Sequence, residues 1–164
     1  MASGQTMAKF SPLHGIPPAT NAARLGFRNL HPILKFDPTT AQAIVFSDKL
    51  PRSYAGGGLI VHVEWAANGV TTGSVKWSAE IERIQVGTTD LDADSFAAAQ
   101  EATATAPATD GFTKVTDIPF THGAQMDSLA AGESYRLRIS RVAGDGADDM
   151  AADAQLVSVE VEEG

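Results

Sequence analysis

The chain has 164 residues, 43% of them hydrophobic, enough for one domain with a real core. It has no cysteine, which excludes a disulfide scaffold, thiolate catalysis and zinc-ribbon chemistry. The net charge of −8 is unevenly spread: Met1 to Phe36 contain no Asp or Glu and carry Lys9, Arg24, Arg28 and Lys35, whereas the rest holds all 20 acids and is net −12.

Such an acidic body repels nucleic acid, whose binding needs clustered Lys and Arg. No stretch approaches the roughly 20 apolar residues of a membrane helix, and Met7 to Leu13 lacks the apolar run of a secretory signal. The expected partners therefore include neither nucleic acid nor a membrane.

In chain order, residues 1–32 read as an extended arm. Pro and Gly separate isolated apolar anchors, Phe10, Leu13, Ile16, Leu25 and Phe27. That spacing suits a strap that drops side chains into successive pockets, either of a partner or of its own domain. The body, residues 33–164, reads as β throughout. Ile33–Phe36 and Ala43–Phe46 flank a turn at Asp37-Pro38-Thr39-Thr40. Leu59, Val61, Val63 and Trp65 share one face of an alternating strand that ends near the Asn68-Gly69 turn signal. Val75, Trp77, Ala79 and Ile81 do the same on the next. Phe112–Phe120 carries Pro119, a mark of an edge or a bulge. Tyr135, Leu137 and Ile139 alternate with Arg136, Arg138 and Ser140, and Val157, Val159 and Val161 alternate with polar residues at the C-terminus. Asp94–Ala106 is the one candidate helix, with Asp94-Ser95 as its cap and Pro107 as its stop. Seven or eight strands without interleaved helices predict an all-β, antiparallel sandwich of jelly-roll type.

Chemistry-bearing motifs are sparse. Asp90, Asp92, Asp94 and Glu101 match the spacing of an EF-hand calcium loop. Ser95 replaces its turn glycine and no helix precedes it, so a solvated acidic loop competes with a metal site. Gly56-Gly57-Gly58 precedes a strand and no Gly-Lys-Ser/Thr follows, so it is a tight approach to that strand and not a phosphate loop. His14, His31, His62 and His122 have no metal-ligand spacing, and no Gly-x-Ser-x-Gly is present. The expectation is no catalytic residue and no cofactor. Trp65 and Trp77, in phase with the apolar faces, read as core. Arg136, Arg138 and Arg141 read as partners of acidic loops or as a contact site.

Several of these residues carry a resemblance: Phe36-Asp37, Leu50-Pro51, Gly57-Gly58-Leu59, Trp65-Ala66-Ala67, Val75-Lys76-Trp77, Asp92-x-Asp94-Ser95-Phe96 and Ala131-Gly132-Glu133. Over roughly Ile33 to Val161 the chain resembles a family of small tailed-bacteriophage virion proteins. The resemblance implies a capsid cement or decoration protein on the outside of the head. Its partner would be a major capsid protein with the HK97-type fold, and it would form a homo-oligomer, dimer or trimer. Phe10, Ile16, Leu25 and Phe27 would then anchor apolar pockets, and Arg24, Arg28 and Lys35 would meet acidic capsid residues. The same body also occurs in tail-fibre and receptor-binding modules that bind glycans, which is the alternative function. A small sandwich enzyme or a calcium-dependent lectin is a third reading.

Overall fold

The computed structural model describes residues 4–164; Met1–Ser3 of the expected arm lie outside the described residues. Among these described residues ten strands form two antiparallel sheets. The six-stranded sheet runs β2 (Arg24–Arg28), β3 (His31–Phe36), β10 (Ala154–Glu163), β5 (Leu59–Ala67), β8 (Lys114–Phe120), with β1 (Thr6–Phe10) also on β10. The four-stranded sheet runs β4 (Gln42–Lys49), β9 (Ser134–Arg141), β6 (Ser74–Ile84), β7 (Gln100–Thr105). This is the jelly-roll sandwich that the alternating faces predict. No helix among the described residues is long and apolar enough to cross a membrane.

The core lies where the alternation puts it. Val61, Val63 and Trp65 of β5 face Val75, Trp77 and Ile81 of β6, and all are buried. The Trp65 and Trp77 rings meet edge to face at 6.0 Å, and Trp65 Nε1 donates to the Thr116 hydroxyl at 2.9 Å. Pro119 sits on β8, an edge strand, where its missing N–H leaves no ladder bond unmade. Gly58 has φ +85, and a Cβ there would lie 2.5 Å from the Phe120 carbonyl oxygen, so the approach to β5 requires a glycine at this position.

Two expectations are corrected. Residues 4–32 do not extend away from the body. Thr6–Phe10 pairs with the C-terminal strand, Arg24–Arg28 with β3, and single bridges tie Ile16 to Val45 and Ala22 to Ala43. A boundary between 32 and 33 falls inside β3. Phe10, expected to reach a partner, is 5% exposed and stacks on Phe46 at 4.9 Å, because an aromatic ring gains more from the core than from solvent. The helix over Asp94–Ala106 is absent. Gln100–Thr105 is a strand on β6, with Ala102 and Ala104 turned inward and Glu101 and Thr103 outward. The open edge of β6 and the β-branched threonines override a weak cap signal.

One buried arginine closes an end of the sandwich. Arg141 points inward from β9 and is fully buried. It holds Asp148 through both carboxylate oxygens at 2.7–3.1 Å and donates to the carbonyls of Phe36, Met150 and Ala152. Asp148 also accepts from the Lys76 N–H at 3.0 Å. Those bonds satisfy a charge pair whose desolvation is otherwise costly, and they fix residues 142–153.

Candidate functional site

The outer face of the six-stranded sheet carries an open cleft. It arises from the way β3 leaves the sheet. β3 pairs with β10 only through Phe36, Lys35 and Leu34, whereas the rest of β3 pairs with β2 alone. The β2–β3 hairpin is thus free to bend, and it curls over the sheet. Its two-residue turn, Asn29-Leu30, has φ of 47° and 65°, the left-handed pair of a type I′ hairpin. Asparagine tolerates that conformation. Leucine does so at a steric cost, and Leu30 is almost fully exposed at the tip.

Arg28 holds the hairpin down. Its Nη1 donates to the Ala67 carbonyl at 3.0 Å and to Gln155 Oε1 at 2.9 Å, and its Nη2 to Asp110 Oδ1 at 2.9 Å. Asp110 also accepts from the Gly69 N–H. The Arg28 bond and that backbone bond hold the Asp110 carboxyl below its ordinary range. Between the hairpin, the sheet and the 110–113 loop lies a space of about 430 Å³.

The lining has two characters. Ile33, Ala66 and Val157 form an apolar floor; Ile33 and Ala66 are buried yet stand outside the main core cluster. Val157 reaches the cleft through a register shift between Leu156 and Ser158 that re-aims it. Asn29, His31, Thr113 and Gln155 supply polar groups around that floor. Gln155 is buried yet lines the cleft, and its Oε1 accepts from Arg28 Nη1. Phe112, between the cleft residues Gly111 and Thr113, is exposed but lines a separate hollow with Thr105 and Pro107. An amphipathic cleft of this kind can hold a ligand that has both hydroxyl groups and C–H faces.

The residues expected to bind a partner are divided by the fold. Ile16, Leu25 and Phe27 are exposed, and Phe10 is buried. Arg24 is largely exposed and pairs loosely with Asp153 at 3.6 Å. Lys35 lies across Gly26, within 2.6 Å of where a Cβ would be. Arg28, expected to meet acids of a partner, is spent within the chain on the cleft; its acid is Asp110, 82 residues away.

The four carboxylates with calcium-loop spacing are not brought together. Glu101 lies in β7 and pairs with Lys76 at 2.7 Å. Asp90 caps its own turn, accepting from the Asp92 N–H. Among the described residues no cluster of three His, Asp or Glu is placed to hold a metal. The histidines have other work. His62 Nδ1 lies 2.6 Å from Asp117 and its Nε2 3.3 Å from Glu162. Burial opposes its charge, but the bonds and fields of Asp117 and then Glu162 outweigh burial and raise its pKa. His122 meets the Tyr54 hydroxyl at 2.9 Å. His62 is matched with carboxylates and not with a hydroxyl nucleophile, so it lacks the donor side of a triad.

No family model matches the chain, and no curated protein matches it in sequence. Solved structures do share its fold. A CBM36-1 domain of a multidomain xylanase from the hindgut metagenome of Trinervitermes trinervoides superposes with a TM-score of 0.53 at 9% identity, covering 96% of this chain and 97% of that one. The CBM22-1 xylan-binding domain from Paenibacillus barcinonensis gives 0.54 at 10%, covering 99% and 96%. An exo-β-1,3-galactanase from Phanerochaete chrysosporium gives 0.51 at 12%, covering 98% of this chain and 30% of that one. The chain therefore has the jelly-roll sandwich of these carbohydrate-binding modules, over its whole described length. At such identities the likeness is one of fold.

Proposed function

We propose that this chain is a non-enzymatic saccharide-binding module, the glycan-recognising type of β-sandwich that the virion resemblance also implies. One observation carries the reading: a cleft of about 430 Å³ with an apolar floor, polar side chains of Asn29, His31 and Thr113 around it, and the buried Gln155 amide in its lining. A sugar ring presents an apolar C–H face and flanking hydroxyls, which match the floor and Gln155, Asn29 and Thr113 respectively. The shared fold with two carbohydrate-binding modules supports the reading without fixing the sugar. The test is a panel of immobilised oligosaccharides probed with the chain and with Gln155→Ala. The expected result is binding to a subset, weakened at least about tenfold by the substitution, the scale of one lost buried hydrogen bond. No binding across the panel, or binding unchanged in Gln155→Ala, would contradict it.

A second reading is decoration of a capsid shell. One observation favours it: Ile16, Leu25 and Phe27 stand exposed in the acid-free part of the chain, available as contacts to an acidic capsid protein. Co-sedimentation of the chain with assembled heads tests it, and an unbound chain would remove it.

A further inference from the structure

An unpaired strand edge is a template for another strand, and most sandwich edges carry a guard against it. Here β4 is covered, because residues 11–23 run along it with backbone bonds between Ile16 and Val45 and between Ala23 and Ala43. β8 carries Pro119, and β7 is tied at its end by Lys114 Nζ, which donates to the Thr105 carbonyl at 2.9 Å. β1 is broken by its register shift and carries Lys9. β2 has none of these guards. It ends the six-stranded sheet, pairs with β3 alone, and holds no proline, lysine or register shift over Arg24–Arg28. Its arginines are turned to the outer face and engaged by acids of the chain, Arg24 by Asp153 and Arg28 by Asp110.

The register says which backbone groups of β2 are free. The two-residue turn closes on Arg28 and His31, so that pair is the hydrogen-bonded one. By alternation Phe27↔Pro32 and Leu25↔Leu34 are non-hydrogen-bonded pairs, and Pro32, which has no N–H, fits that place. The N–H and C=O groups of Leu25 and Phe27 therefore point away from β3. Among the described residues no turn or loop bonds to them. Their side chains lie on the face of the core residue Leu34, yet they are 52% and 63% exposed, since the six-stranded sheet is the wider one and β2 lies at its margin. Leu25 borders a hollow there with Leu13 and Pro17.

We propose that a second copy of this chain adds to this edge, β2 against β2, antiparallel about a two-fold axis at Gly26. The self-complementarity of the strand selects the occupant. In this register Leu25 meets Phe27 of the second copy and Phe27 meets its Leu25, so every free N–H and C=O finds a partner and the apolar side chains pair across the axis. A slip of two residues fails. It sets Phe27 opposite Ala23, whose N–H is taken by the Ala43 carbonyl, or Leu25 opposite Asn29 in the turn. On the outer face Arg24 comes opposite Arg28 of the second copy, and each already has its own acid. The same patch serves both copies, so the contact is isologous and closes at two chains. The proposal is independent of the ligand of the cleft.

An edge of five residues makes a small interface and hence weak association. Sedimentation velocity of the full chain, taken to roughly 1 mM, should show the wild type approaching twice its 17.1 kDa monomer mass and not passing it. Leu25→Lys, at an exposed site, should keep the wild-type circular dichroism spectrum and stay monomeric. Leu91→Lys, as exposed but in the β6–β7 connection, should dimerise like the wild type. Register is read separately, because the chain has no cysteine. Gly26→Cys would set two Cα atoms about 4.5 Å apart across the axis, within disulfide reach, once the flexible end of Lys35 moves aside. Mild oxidation should link that variant into a dimer and leave Thr103→Cys, on β7, unlinked. A wild type that is monomeric throughout, assemblies larger than two chains, a dimeric Leu25→Lys or an unlinked Gly26→Cys would overturn the proposal. So would a monomeric chain whose co-sedimentation with capsid heads is lost in Leu25→Lys, which would give the edge to another protein.

Discussion

Two arginines each tie distant segments together, and they do so to opposite ends. Arg141 is sealed between the sheets, and its guanidinium meets one carboxylate and three carbonyls. Arg28 spans the surface of the six-stranded sheet and pins a hairpin over an open space. The first clamp closes an end of the molecule, and nothing can enter there. The second holds a cleft open between elements that would otherwise separate. The difference teaches that the same side chain builds structure where its surroundings are dry and builds a site where they are wet. The outer face of the four-stranded sheet belongs with Arg141. Arg136 pairs with Glu82 and Arg138 with Glu80, and the Phe96 ring covers both guanidinium groups at 5.1 and 4.4 Å, so that face is already filled.

The comparison can be broken in several places. Arg141→Met should have the largest effect, about 3–5 kcal/mol lost in urea unfolding, because it leaves Asp148 buried without its partner. Glu82→Gln should cost about 1–3 kcal/mol, since Glu82 is buried and its partner Arg136 only half so. Phe96→Ala removes the cover over both arginines and should cost about 1–2 kcal/mol, with faster proteolysis between β6 and β7 as the sharper readout. Arg28→Ala should cost about 1 kcal/mol or less, as a partly exposed pair, and yet weaken saccharide binding severalfold by releasing the hairpin. If Arg28→Ala destabilises the fold as much as Arg141→Met, the distinction between the two clamps fails.

The smallest effect concerns pH. His62 has a raised pKa in the folded chain because Asp117 and Glu162 flank it. Its contribution is complete below the unfolded value of about 6.5 and fades as pH rises through the higher folded value. Urea midpoints measured from pH 6 to about 8.5 should fall slightly, and His62→Gln should flatten that dependence.

Much of the fold was legible because it is written in local alternation. Trp65 and Trp77 share phase with their strands' valines, and Pro119 marks an edge. What was missed depends on partners far along the chain. Thr6–Phe10 has no readable period because its register on β10 is shifted between Thr6 and Ala8, and its partners lie some 150 residues on. Gln100–Thr105 is a strand only because β6 has an edge to fill. The charge split did point to a distinct part of the molecule, but it could not say that this part lies on its own body. The cleft was invisible for the same reason. Arg28 and Gln155 stand 127 residues apart, and only the curled hairpin brings them within 2.9 Å. Asn29 was the one local hint, as a residue suited to a left-handed turn.

The central claim is that the cleft beneath the Arg28 hairpin is a saccharide site. Titration of an isotopically labelled chain with a panel-selected oligosaccharide, followed by amide NMR, tests it most directly. The account predicts shifts concentrated at Asn29, His31, Thr113 and the Gln155 side-chain amide, with the four-stranded sheet unmoved. Shifts confined to the four-stranded sheet, with the cleft silent, would contradict it.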